Sequence, residues 1–108
     1  MSEQSKPFFV YYRRHPEFKV NLDFHMEFSR DSEGVHMSSE YVFVGTQFAK
    51  SKDDVYARMQ GDRWSPRGEA RKLIKAIGLQ HTSMSVGDVV VDSHGAVFEA
   101  DRIGWREF

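Results

Sequence analysis

The run Thr82-Ser83-Met84-Ser85-Val86-Gly87-Asp88-Val89-Val90-Val91, followed by Asp92-Ser93-His94-Gly95 and Ala96-Val97-Phe98-Glu99-Ala100, decides how this chain folds. Three successive valines are the composition of a strand. Asp88 to Asp92 and Ala96 to Ala100 therefore predict two strands. Ser93-His94-Gly95 between them predicts a tight hairpin loop, with Gly95 taking the positive φ that such a loop needs. Upstream, Met84 and Val86 point inward, and the hydroxyls of Thr82, Ser83 and Ser85 are placed to satisfy local backbone groups. Gly87-Asp88 predicts the turn that launches the hairpin. Downstream, Ile103 to Phe108 predicts a last, edge strand.

Working outward, helical signals precede this β run. Ser65 as N-cap and Pro66 at the first helical position predict a helix to about Leu79, with Ala70, Leu73, Ile74 and Ile77 as its buried stripe and Gly78 as its stop. Before it, Ser51 caps a shorter helix with Asp53 and Asp54 in the first turn, Val55 and Met59 as its apolar pair, and Gly61 at its end. The N-terminal half reads as strands. Phe8 to Tyr12 is one, ended by Arg13 to Pro16. Val20 to Phe28 alternates cleanly, with Val20, Leu22, Phe24, Met26 and Phe28 on one side, which implies a face buried and a face wet. Ser29 to Gly34 reads as a turn. Ser39 to Phe48 carries apolar groups on both faces, with Tyr41 and Phe43 opposite Val42 and Val44, and predicts a central strand. Strands, then two helices, then strands argue for one α+β domain over residues 1–108. The expectation is an antiparallel sheet of about five or six strands with two helices packed on one face. Residues 1–6 are expected to form a flexible tail.

Composition narrows the classes of function. The 108 residues are one domain's worth, 40% hydrophobic and 14% aromatic. No cysteine is present, which removes disulfides and thiolate chemistry and fits a reducing cytoplasm. Neither a signal peptide nor an apolar run long enough to span a bilayer is visible. Net charge is −1, yet residues 51–80 hold seven Lys/Arg against four Asp/Glu, and residues 81–108 hold two against five. A bipolar surface of this kind can steer a charged partner.

Candidate chemistry is sparse. His81 adjoins three hydroxyls, but the strained nucleophile turn of serine hydrolases is missing, and no catalytic residue is assigned. Asp23, His25 and Glu27 share a strand face, yet a closed metal site needs a further ligand, so no metal and no cofactor is expected. Phosphate-binding glycine loops are absent. Arg67, Arg71 and Lys75 are spaced four apart, with Arg63 ahead of them and Trp64 available to stack on a base, which makes a candidate nucleic-acid edge. Phe9, Tyr11, Tyr12 and Trp105 form a surplus of rings and are candidate interface aromatics.

The segment from Thr82 to Val91, followed by a short hairpin and Ile103-Gly104-Trp105, resembles the YodL-like domains of phages and other mobile elements. The resemblance covers about residues 41–108 and includes the short helix from Ser51 to Met59. It implies Ser83, Ser85, Gly87, Asp88 and Gly104 as structural positions and implies no catalytic residue. The expected function is a small non-enzymatic accessory protein in a bacterial host cytoplasm, binding a host or viral macromolecule, a protein before any other. The alternative is a nucleic-acid-binding protein using the basic helix edge. A homodimer through the last edge strand is the third partner expectation.

Overall fold

The computed structural model describes residues 5–13, 28–38, 40–65, 67–79, 81–101 and 104–108. A five-stranded antiparallel sheet organises them, in the order β4-β1-β5-β6-β7. Its strands are β1 (Lys6–Arg13), β4 (Tyr41–Ala49), β5 (Val89–Val91), β6 (Val97–Asp101) and β7 (Gly104–Glu107). A separate hairpin of β2 (Phe28–Asp31) and β3 (Gly34–Met37) precedes β4. Three helical segments lie between β4 and β5: α1 (Lys52–Arg58), the single turn α2 (Gly61–Trp64) and α3 (Arg71–Ala76). The fold is therefore α+β, as the order of elements predicts. Among the described residues no helix is long and apolar enough to cross a membrane.

The core has two parts, one on each side of the sheet. Phe8, Val10, Tyr12 and Val90 meet Val55, Met59, Ala70, Ile74 and Leu79 on the helical side. On the other side Val89, Val91, Val97 and Tyr41 are packed by Phe28, Val35 and Met37 of the hairpin, with Phe9 and Tyr11 between them. Strict alternation along β1 sends successive residues to opposite layers, so one strand serves both.

Several boundaries differ from the sequence expectation, each for a local reason. The strand expected over residues 20–28 falls outside the described residues except for Phe28, which opens β2. Residues 29–34, expected as a turn, hold the rest of β2 and the start of β3, and only residues 32–33 make the turn. The N-terminal tail is shorter than expected, because Lys6 already pairs with Ala49. Gly61 opens α2 rather than merely ending α1. The helix expected from Ser65 starts only at Arg71. Gly68 adopts φ +79° and breaks the helical path. The Ser65 hydroxyl oxygen still accepts, but from Ala70 N at 2.8 Å, closing the turn ahead of the helix. The shorter helix buries Ala70 and Ile74 and leaves Leu73 45% exposed.

Strand β4 carries the largest correction. It was expected in the middle of a sheet, yet it pairs only with β1 among the described strands and ends the strand order. Its register slips at Val10/Tyr11, where Gly45 and Phe43 pair with consecutive residues of β1 and Val44 is skipped. That bulge reverses the alternation beyond it. Phe43 and Phe48 are five residues apart and would face opposite ways in a regular strand. Here Phe43 sits across from Tyr11 and Phe48 across from Pro7, both on the side away from the helices.

The cap of α1 is as expected: Asp54 N donates to the Ser51 hydroxyl oxygen at 3.1 Å. Ser51→Ala is expected to cost about 1 kcal/mol and to lower the melting temperature by about 4–8 °C, measured by thermal unfolding followed by circular dichroism.

Candidate functional site

The segment before β5 is organised around one carboxylate. Asp88 is fully buried. Its Oδ1 accepts from Arg13 N at 2.8 Å. Its Oδ2 accepts from Ser85 N at 2.9 Å, His81 Nε2 at 2.9 Å and the Ser85 hydroxyl at 3.3 Å. The chain from residue 81 to 88 is thus folded around an anion and tied to β1. A second set of bonds holds the same loop from the core side. The Tyr12 hydroxyl donates to Thr82 O at 2.6 Å, and Trp64 Nε1 donates to the same carbonyl at 3.0 Å. Met84 N donates to Met59 O at 3.0 Å, and Gln60 Nε2 to Met84 O at 3.1 Å.

Serine, histidine and aspartate therefore do come together here, but not as a catalytic relay. A relay needs the imidazole between carboxylate and hydroxyl. The Ser85 hydroxyl instead donates to the carboxylate itself, and His81 Nδ1 is buried with no hydrogen-bond partner among the described residues. The His81 ring stacks on Tyr12, with centroids 4.8 Å apart and planes 12° apart. Asp88 and Ser85 are joined through the Ser85 amide and hydroxyl, and Gly87 N donates to Ala100 O at 2.9 Å. Gly104 opens β7.

The basic set is dispersed over three elements. Arg63 lies at the end of α2, Arg67 in the turn before α3, and Arg71 and Lys75 on α3, all exposed. Because α3 begins at Arg71, the four-residue spacing that links Arg67 to the other two is not helical. Trp64 is half-buried, packs on the helical core and commits its indole nitrogen to Thr82, so its ring forms part of the core wall.

Of the proposed interface aromatics, Tyr12 is corrected outright: it is completely buried, inside the helical core. Phe9 and Tyr11 are half-buried on the opposite side, where with Val35, Val91 and Gly34 they line a groove of about 350 Å³. Trp105 is half-buried in a different place, under α1. Two rings that the sequence did not single out are the most exposed: Phe48 is 61% and Phe43 49% accessible. The Phe43 ring meets Tyr11 edge-on, with centroids 5.5 Å apart, so Phe43 joins the half-buried rings, and Phe48 stands further along the same face. The bulge that aligns them leaves no periodic signature.

The carboxylate–imidazole set weighed as a metal site, Asp23, His25 and Glu27, lies outside the described residues. A comparable set, Asp31, Glu33 and His36, surrounds the tip of the β2–β3 hairpin and is exposed. His36 Nε2 is 3.1 Å from both Asp31 oxygens, and Glu33 N donates to Asp31 Oδ1 at 2.8 Å. The Glu33 N–H first, and His36 second, hold the Asp31 carboxyl below its ordinary range. These bonds describe the fastening of a tight turn. No family model, no curated protein and no solved structure matches the chain.

Proposed function

We propose that this chain is a non-enzymatic protein-binding module whose contact surface is the aromatic strip of β4, with Phe48 and Phe43 in front and Tyr11 and Phe9 behind. The observation that carries the reading is the exposure of two phenylalanines on one face of a nine-residue strand with no charged side chain. Large exposed rings in a contiguous patch are the usual anchors of a protein interface. Among the described strands β4 is an edge; it carries none of the lysine, proline or short length that commonly blunt one, and the bulge at Val44 is its one such device. The other end of the sheet differs: β7 is four residues long and carries Arg106 and Glu107. The resemblance of residues 82–91 to YodL-like domains supports an accessory role in a phage or mobile element, with a host or viral protein as partner in a bacterial cytoplasm.

Site-specific photocrosslinking tests the surface. A benzophenone side chain at position 48 is expected to capture a discrete protein partner in a bacterial host, and the same probe at Lys72 is expected to capture none. Phe48→Ser should leave folding stability within about 0.5 kcal/mol and weaken the captured complex at least about tenfold, as loss of a ring anchor does. Equal crosslinking from both positions, or an unweakened complex, would falsify the reading.

A further inference from the structure

At the far end of the sheet from β4, α1 lies against β7 and leaves a cleft of about 320 Å³ lined among the described residues by Asp53, Tyr56, Ala57, Asp101, Gly104 and Trp105. Two aromatic rings and two carboxylates dominate this lining. Trp105 Nε1 donates to Asp53 Oδ1 at 3.0 Å, which fixes the carboxylate against the edge of the indole. Tyr56 meets Trp105 at a right angle, with planes 86° apart and centroids 6.3 Å apart. The rings make a corner, and the carboxylates stand beside it. Aromatic faces carry negative charge density, and carboxylates add full charges, so the chemistry of the cleft selects a cation. This chain uses the same pairing internally: Lys52 Nζ lies 4.1 Å from the centre of the Phe98 ring, and the Arg30 guanidinium carbon 4.8 Å from that of Phe28.

We propose that this cleft is a recognition pocket for an arginine side chain presented by a protein partner. A guanidinium is flat, so it stacks on the Trp105 or Tyr56 face, and its N–H donors, spread around that plane, reach the Asp53 carboxylate beside the rings. Asp53 Oδ1 receives the indole N–H, and among the described residues Oδ2 is the oxygen open to the ligand. Asp101 is already paired with Arg106, whose Nη2 is 3.8 Å away, so Asp53 is the carboxylate that meets the ligand. A quaternary ammonium offers no N–H to Asp53, and a lysine ammonium fills the corner without the flat contact. The inference rests on the protein-binding reading for its biological sense, but it uses a surface separate from β4.

The test is a titration of the whole chain with N-acetylarginine methylamide, followed by the two indole N–H signals in proton–nitrogen correlation spectra. Trp64 serves as internal control, since its indole nitrogen is bonded inside the fold. The expected result is a saturable shift of the Trp105 signal with a millimolar dissociation constant and no shift of Trp64. The neutral citrulline analogue should bind at least about tenfold more weakly, as should arginine to the Asp53→Asn variant, because one charge of the pair is lost in each case. No saturable shift of Trp105, an equal response to citrulline, or tighter binding of acetyllysine methylamide or choline would each overturn the assignment. Because the probe is a small molecule and the readout is Trp105, a negative result here leaves the β4 crosslinking result intact, and the reverse holds.

Discussion

Replacing Asp88 with alanine is expected to destabilise the domain by about 3–5 kcal/mol, the cost of removing one partner from a buried charged network. The carboxylate is wholly buried and receives four donors, two of them backbone N–H groups of Arg13 and Ser85. Alanine cannot accept from any of them. Each donor left in the interior loses its exchange for water, and hydrogen bonds to a charged group are the more expensive ones to lose. A domain of this size has a total stability of about 5–15 kcal/mol, so the variant stands near the limit of folding. The measurement is the urea midpoint and the melting temperature, which should fall by more than about 10 °C. Ser85→Ala separates the parts of the network. Of the four bonds to the carboxylate it removes the longest, 3.3 Å, and keeps that of the Ser85 N–H, so its cost should stay below about 1 kcal/mol. Asp88→Asn belongs between the two, since one carbonyl oxygen serves one side of the network while its amide N–H faces donors on the other. An Asp88→Ala variant as stable as Ser85→Ala would refute the central place given to this carboxylate.

The residues of that network show where a sequence reading succeeds and where it stops. The local parts were legible. Ser51 caps α1 because a hydroxyl three residues ahead of an amide is a short-range arrangement. The loop expected at residues 93–95 forms and takes in residues 92 and 96 as well, with Asp92 Oδ1 accepting from His94 N and Ala96 N and Gly95 at φ +82°. The hydroxyl-rich run after His81 is expected to fasten local backbone groups, whereas the Ser85 hydroxyl bonds the Asp88 carboxylate. What it fastens was hidden, because Arg13 and Asp88 are 75 positions apart and no spacing relates them. The same holds for Trp105 and Asp53, 52 positions apart, which meet only because β7 returns beneath α1. Gly68 marks a second kind of failure. The apolar spacing of Ala70, Leu73, Ile74 and Ile77 is a good helical stripe, but one left-handed residue shortened the helix and turned Leu73 outward. The bulge at Val44 is a third. It put Phe43 and Phe48 on one face against the period of the strand, and so created the surface assigned here to partner binding.

Above pH 10 the domain is expected to lose stability steeply, and Tyr12→Phe is expected to lose less of it. Tyrosine in an unfolded chain titrates near pH 10. Burial first, then the Asp88 carboxylate and Tyr56, push the Tyr12 phenol far above that value. Burial likewise pushes Tyr41 up to about 12, with the Arg13 guanidinium pulling the other way. Above pH 10 the unfolded chain has released these protons while the folded chain retains them. The unfolded state then binds fewer protons, so the unfolding free energy falls as pH rises. The stability tied to these groups is complete below pH 10 and is lost as pH climbs toward their folded values. At neutral pH the Tyr12→Phe variant should be the weaker protein, but only by about 1 kcal/mol, the value of an ordinary buried hydrogen bond. Neither acceptor is orphaned by the change, because Thr82 O keeps Trp64 Nε1 and Met59 O keeps Met84 N. Each pH unit above 10 costs the wild type about 1.4 kcal/mol for one retained proton, so the two stability curves should cross near pH 11. Urea midpoints at neutral pH and at half-unit steps above pH 9 measure the crossing. Lysine ionisation is common to both proteins and cancels in the difference. Parallel curves would mean that Tyr12 ionises as readily folded as unfolded, which is incompatible with a hydroxyl held 2.6 Å from Thr82 O beneath the loop that Asp88 organises.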